Sequence, residues 1–123
     1  MFFTFRQSGL EIRDFGASWR DGYAFLTLID SIKTNVINIA DMKRHNNRYR
    51  LDTAFNVAET ELGIARLLDA EDVDVNCPDE KSIMTYVAQF LHKYPDVKVR
   101  SFNKTDLLVL TFILLFPEYK LKE

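Results

Sequence analysis

Apolar positions recur at helical spacing in three stretches of this chain, and the most regular of them is residues 78–94, PDEKSIMTYVAQFLHKY. There Ile83, Tyr86, Val87, Phe90, Leu91 and Tyr94 fall at i, i+3, i+4, i+7, i+8 and i+11, which is one stripe of an α-helix. Pro78 suits a first helical turn through its fixed φ, and Asp79 and Glu80 complement the positive end of a helix. His92 and Lys93 complement the carbonyl end, and Pro95 stops the run. A large side chain on such a stripe stabilises by about 1.5–3 kcal/mol only when something covers it. The rest of the chain therefore has to supply the cover.

The second stretch spans residues 47–62, where Leu51, Ala54, Phe55, Ala58 and Leu62 share a face and Gly63 offers a left-handed stop. A third helix is expected from Ser18, a capping residue, with Trp19, Tyr23, Phe25, Leu26, Leu28, Ile29 and Ile32 giving a wide apolar face. Gly22 would cost such a helix about 1 kcal/mol relative to Ala. Either another backbone approaches closely there or the helix begins near Asp21. Residues 36–42, VINIADM, have strand propensity but no second segment to pair with, so they read as a loop with one helical turn. Ile64, Leu67 and Leu68 are expected to plug the core from a turn, and residues 69–75, DAEDVDV, to form a short acidic turn. Residues 1–13 show no period, because Gly9 interrupts whatever Phe2, Phe3 and Phe5 begin. After residues 96–106, which are polar and basic, comes the apolar decamer 107–116, LLVLTFILLF, with Thr105 able to cap it and Pro117 to end it. The fold class read from this pattern is all-α, with Trp19, Leu26, Leu51, Phe55, Leu62, Ile83, Val87, Phe90 and Leu91 in the core.

Composition narrows the picture. A chain of 123 residues has room for one core, and 47% apolar with 28% charged residues places it among soluble globular domains. A net charge of −2 supplies no overall field for nucleic acid or a membrane surface, so binding has to come from local patches. Cys77 is the one cysteine, which excludes an internal disulfide, and with only His45 and His92 beside it a structural zinc is not expected. A reduced, intracellular compartment fits this usage. MFFTFRQSG lacks the basic region and long apolar run of a signal peptide. The decamer falls well short of the roughly 20 residues a membrane-spanning helix needs, so no span is expected.

DFGASWRDGYAFLTLI at residues 14–29, LDTAFNVAETELGIARLLDAEDVDV at 51–75 and PDEKSIMTYVAQFLHKYP at 78–95 together resemble the calponin-homology domain. More narrowly they resemble the second domain of the tandem found in spectrins, α-actinin, dystrophin and nesprins, with MTYVAQFLHKYPD nearest the nesprin wording. The resemblance runs from Leu10 to Asp96 and implies a calponin-homology helical bundle over residues 10–96, preceded by an atypical segment 1–9 and followed by an atypical apolar and basic tail 97–123. Set against the family pattern, the first helix and the first domain of the tandem are missing, as in a fragment or a mis-predicted product. The resemblance implies a cytoskeletal module that assists F-actin binding in a spectrin- or nesprin-like linker, weak when no first domain accompanies it. It also implies a cytoplasmic, cytoskeletal location, extending to the outer nuclear envelope for a nesprin-like protein. The alternative reading is a phosphoinositide- or membrane-surface-binding module.

Asp72, Asp74, Asn76 and Asp79 invite a calcium loop, but counting from Asp72 the positions that need Gly and Glu hold Cys77 and Ile83. His45 and His92 have no nucleophile or carboxylate at a catalytic spacing and read as surface histidines, and the scattered glycines form no phosphate loop. No enzyme, no cofactor and no metal is expected. The run KRHNNRYR carries Lys43, Arg44, Arg48 and Arg50, which serve either as a solvated helix start or as contacts for acidic actin surface or phosphoinositide headgroups. Nucleic acid is not expected, since Tyr49 alone makes no stacking platform. Arg13 and Arg20, flanking Trp19, form a second candidate patch, in a segment that the resemblance to α-actinin-like relatives associates with phosphoinositides. Lys81 in PDEK matches a family position at the contact between the two domains of the tandem.

Overall fold

The computed structural model describes residues 14–95 in full and the backbone alone of residues 3–5, 11–12 and 99–100. Along the chain run β1 (Phe3–Phe5), β2 (Glu11–Ile12), a 3-10 turn (Ala17–Trp19), α1 (Tyr23–Ile32), a second 3-10 turn (Asp41–Arg44), α2 (Asn47–Leu62), α3 (Ala70–Val73), α4 (Glu80–Lys93) and β3 (Val99–Arg100). The fold is all-α: the helices carry most of the described core, with Phe15, Ile37 and Ile64 added from the connecting segments, and the strands form only a marginal ribbon.

Helix α4 is the centre. Asp79 caps it by accepting a hydrogen bond from the Ser82 amide at 3.2 Å, and Ile83, Met84, Tyr86, Val87, Ala88, Phe90 and Leu91 are buried. Pro78 therefore stands one residue ahead of the cap, not in the first turn. The cap needs a backbone in the extended region, which Asp79 adopts. Tyr86 ties α4 to its neighbours through rings set edge-on: Phe25 of α1 at 5.7 Å, Phe55 of α2 at 5.3 Å and Phe90 at 5.0 Å between centroids. Phe25 in turn meets Phe55 at 5.2 Å and Trp19 at 4.8 Å. Such tilted pairs add about 0.5–1.5 kcal/mol each beyond the area they bury. Trp19, Leu26, Leu51, Phe55, Leu62, Ile83, Val87, Phe90 and Leu91 are all buried in this one cluster.

Helix α2 starts where Asn46 accepts a hydrogen bond from the Tyr49 amide at 2.9 Å and ends at Gly63, whose φ of 68° is the left-handed stop. Helix α1 starts later than Ser18. The Ser18 hydroxyl donates to Asp14 Oδ2 at 2.7 Å instead of capping a helix, and a 3-10 turn occupies residues 17–19. Gly22, at φ 88°, then caps α1. A Cβ there would lie 2.8 Å from Arg50 Cβ and 3.1 Å from the Leu51 amide nitrogen, so α2 crosses α1 against a bare backbone. Both expectations for Gly22 hold at once.

Two further expectations are corrected. Leu67 is 52% exposed, while Ile64 is buried and Leu68 half-buried. Arg66 explains this: its guanidinium donates to Asn56 Oδ1 at 2.7 Å and to Asp52, its amide to Glu59 Oε2 at 3.3 Å, and it lies 5.4 Å from the Phe55 ring centroid. The turn is held along α2 by Arg66, with Leu67 left facing water. The other correction is β1, which pairs antiparallel with β2 (Phe3↔Ile12, Thr4↔Glu11) and with β3 (Thr4↔Arg100, Phe5↔Val99). The β1–β2 pairing is local, but strands of two and three residues are too short to show an alternating period, and β3 is a partner too distant in sequence for any local pattern to report. The helix expected over 107–116 lies outside the described residues.

Candidate interaction surface

The basic run does not act as one unit. Arg50 is 8% exposed and turned inward, which removes it from the surface contacts expected of it. Its Nε donates to the Asp21 carbonyl at 2.6 Å, Nη1 to the carbonyls of Met42 (3.2 Å) and His45, and Nη2 to Asn47 Oδ1 at 2.6 Å. The guanidinium also lies 4.5 Å from the Tyr23 ring centroid. It therefore closes the turn before α2 onto the start of α1, with four of its five N–H groups paired.

Lys43, Arg44 and Arg48 remain exposed. Arg44 pairs with Asp41 three residues back, and Asp41 Oδ2 lies 3.5 Å from His45 Nε2. The His45 ring stacks on Tyr49 at 3.8 Å, so this histidine is half-buried, not freely exposed. Arg48, in the first turn of α2, reaches Asp74 Oδ2 with Nε at 3.6 Å. Arg20 reaches the same carboxylate from the end of the first 3-10 turn, Nε to Oδ1 at 3.3 Å, and donates through Nη1 to Asn76 Oδ1 at 3.1 Å. Asn47 Nδ2 donates to Asp74 Oδ1 at 3.1 Å. The Asn47 hydrogen bond and the two arginines hold the Asp74 carboxyl below the usual carboxylate range. The fold thus joins Arg20 to the KRHNNRYR run in one ridge over three elements. Trp19, flanked by Arg20, is wholly buried, and its ring nitrogen donates to the Asp14 carbonyl at 2.8 Å. Arg13 lies outside the described residues.

A profile of the family described as calponin homology (CH) domain matches residues 4–96. The chain belongs to the CH domain family. It is 71% identical over 102 residues to the muscle-specific protein 300 kDa of Drosophila melanogaster, covering 83% of this chain and 1% of that protein. Human nesprin-2 is 51% identical over 87 residues (71% of this chain, 1% of nesprin-2), and human spectrin beta chain, non-erythrocytic 4, is 45% identical over 89 residues (72% of this chain, 4% of the spectrin). The chain therefore spans a few hundredths or less of the length of these relatives.

The remaining chemistry of this CH domain is sparse. Among the described residues no three acidic, histidine or cysteine side chains gather to hold a metal, and no helix is long and apolar enough to cross a membrane. The acidic turn is used otherwise: Asp74 serves the arginines, Asn76 serves Arg20, and Asp79 caps α4. His92 is exposed in the last turn of α4. A depression of about 450 Å³ is lined by Asp30 and residues 35–39, which supply one carboxylate and two amides but no nucleophile with a base beside it. Lys81 is half-buried in the first turn of α4. Sequence reasoning found the cations and missed their counter-ions. Asp74 is the second-last residue of an acidic turn in the sequence, and only the fold places it between Arg20 and Arg48.

Proposed function

We propose that this CH domain is the second domain of an actin-binding tandem and that its ridge, Arg20, Lys43, Arg44 and Arg48, meets an acidic face of the actin filament. The ridge is the observation that carries this reading: in a chain of net charge −2, Arg20 and Arg48 meet on one carboxylate, and Lys43 and Arg44 are exposed in the turn that leads into the same helix start. The similarity to nesprin-2 and to a spectrin beta chain supports it at the level of the family. Residues 10–96 form the domain in this reading, with 1–9 and 97–123 as added segments, and Lys81 contacts the first domain of the tandem. The location that follows is the cytoskeleton, with the outer nuclear envelope for a nesprin-like linker. No catalytic role is assigned.

The test is co-sedimentation with F-actin, carried out on the 123-residue chain and on the same chain with a first CH domain fused ahead of it. The chain alone is expected to bind weakly and the fusion strongly. Saturable micromolar binding by the chain alone would remove the proposed dependence on a first domain. Flotation with phosphoinositide vesicles, unaccompanied by filament binding of the fusion, would move the ridge, with Arg13 added, to a lipid-binding role.

A further inference from the structure

We propose that the Arg20–Arg48 pair is a carboxylate-binding seat, occupied at rest by the chain's own Asp74, and that an acidic side chain of a protein partner binds by taking Asp74's place. This rests on the reading of the ridge as a protein-contact surface and adds a regulatory residue to it.

Two guanidiniums brought from different elements rarely share one carboxylate unless something holds them. Here Arg20 Nε and Arg48 Nε stand 3.3 and 3.6 Å from the two oxygens of Asp74. The seat is thus already shaped for a carboxylate, because one sits in it. It is also accessible: the Arg20 and Arg48 side chains are 41% and 57% exposed and Asp74 is 20% exposed. Exposed pairs of this kind are weak, so an incoming carboxylate can exchange with the internal one at little loss. Asn47 and Asn76 shape the seat without adding charge, Asn47 by donating to Asp74 and Asn76 by accepting from Arg20. A carboxylate, with its planar fork of oxygens, suits paired guanidiniums. Asp74 then works as an internal competitor that lowers affinity until a partner offers several acidic groups together.

The experiment uses the whole chain and two probes, a fluorescent polyglutamate peptide read by anisotropy and F-actin read by co-sedimentation of the chain fused to a first CH domain. Asp74→Asn keeps the shape of the side chain and removes the competing charge. It should tighten polyglutamate binding about two- to tenfold at low salt, a range set by the weakness of exposed pairs, with the gain shrinking as salt rises. Asp72→Asn changes net charge equally two residues away, at an exposed position, and should give no such gain. Adding Arg20→Gln and Arg48→Gln to Asp74→Asn should erase the gain. Equal gains from Asp72→Asn and Asp74→Asn, or none from either, would overturn the seat. A gain confined to phosphoinositide vesicles would also overturn it, as a phosphate site. A gain for polyglutamate without one for F-actin would keep the seat and end the actin reading. If Asp74→Asn melts early by circular dichroism, Arg20→Gln with Arg48→Gln in the natural chain decides instead. Polyglutamate binding must then fall, and unchanged binding would overturn the proposal.

Discussion

Arg50 shows how far a residue's type can mislead about its place. A guanidinium withdrawn from water is costly unless its donors are paired, and Arg50 meets that demand with three backbone carbonyls, one side-chain amide and the face of Tyr23. Arg50→Met keeps much of the apolar stem but removes the guanidinium that donates to the carbonyls of Asp21, Met42 and His45, of which Met42 keeps the His45 amide. We expect it to lose about 2–4 kcal/mol in urea unfolding, with Arg50→Lys failing to restore the loss because an ammonium cannot span the same fork. Tyr86 is the opposite case. Among the described residues its hydroxyl has no hydrogen-bond partner, and its phenol is pushed up by burial, so it remains neutral. Tyr86→Phe should leave the melting point unchanged or raise it, and a fall of several degrees would mean the hydroxyl is satisfied after all. The stripe residues of α4 were legible because helical neighbours are local in sequence. Arg50 was not, since its partner Asp21 lies 29 residues away and nothing in KRHNNRYR marks one arginine as different from the next.

At the scale of elements, the stop of α2 was readable, whereas the caps at the helix starts and the crossings were not. Gly63 closes α2 at the position the sequence marks, and Asp79 with Ser82 opens α4. The start of α1 was left between two readings, because a glycine in a helical pattern reports either a break or a close approach, and here it reports both. Its φ of 88° and the approach of Arg50 Cβ to 2.8 Å from a built Cβ are independent penalties. Left-handed backbone costs an L-residue about 1–2 kcal/mol, and the contact is with the stem and backbone of α2, which cannot yield without moving the helix. Gly22→Ala is therefore expected to destabilise by more than about 2 kcal/mol, measured by chemical denaturation. A loss under 1 kcal/mol would show that the α1–α2 crossing is looser than described. The ribbon was illegible for another reason. Its strands are two or three residues long, too short to show an alternating pattern, and the pairing of β1 with β3 spans most of the chain.

Over the whole molecule, the CH fold could be read from three separated motifs, whereas the charge its surface presents could not, because charge neutralisation happens in space. Arg20 and Arg48 are matched by Asp74 and Arg44 by Asp41, so the patch presents less charge than KRHNNRYR suggests. This sets how a charge-reversal test must be built. Arg50→Glu would place an unpaired carboxylate among three carbonyls and unfold the domain, so a loss of binding would say nothing about the surface. Lys43→Glu, Arg44→Glu and Arg48→Glu together change only exposed side chains, whose removal from ion pairs costs at most about 1 kcal/mol each. If the ridge meets an acidic filament face, the triple variant fused behind a first CH domain should retain its helical signal and melting point yet bind F-actin more weakly than its parent. The difference between the two should also narrow as salt is raised, since exposed charges are screened beyond about 8–10 Å near physiological ionic strength. A folded triple variant that sediments like its parent would place the filament contact on another face of the domain.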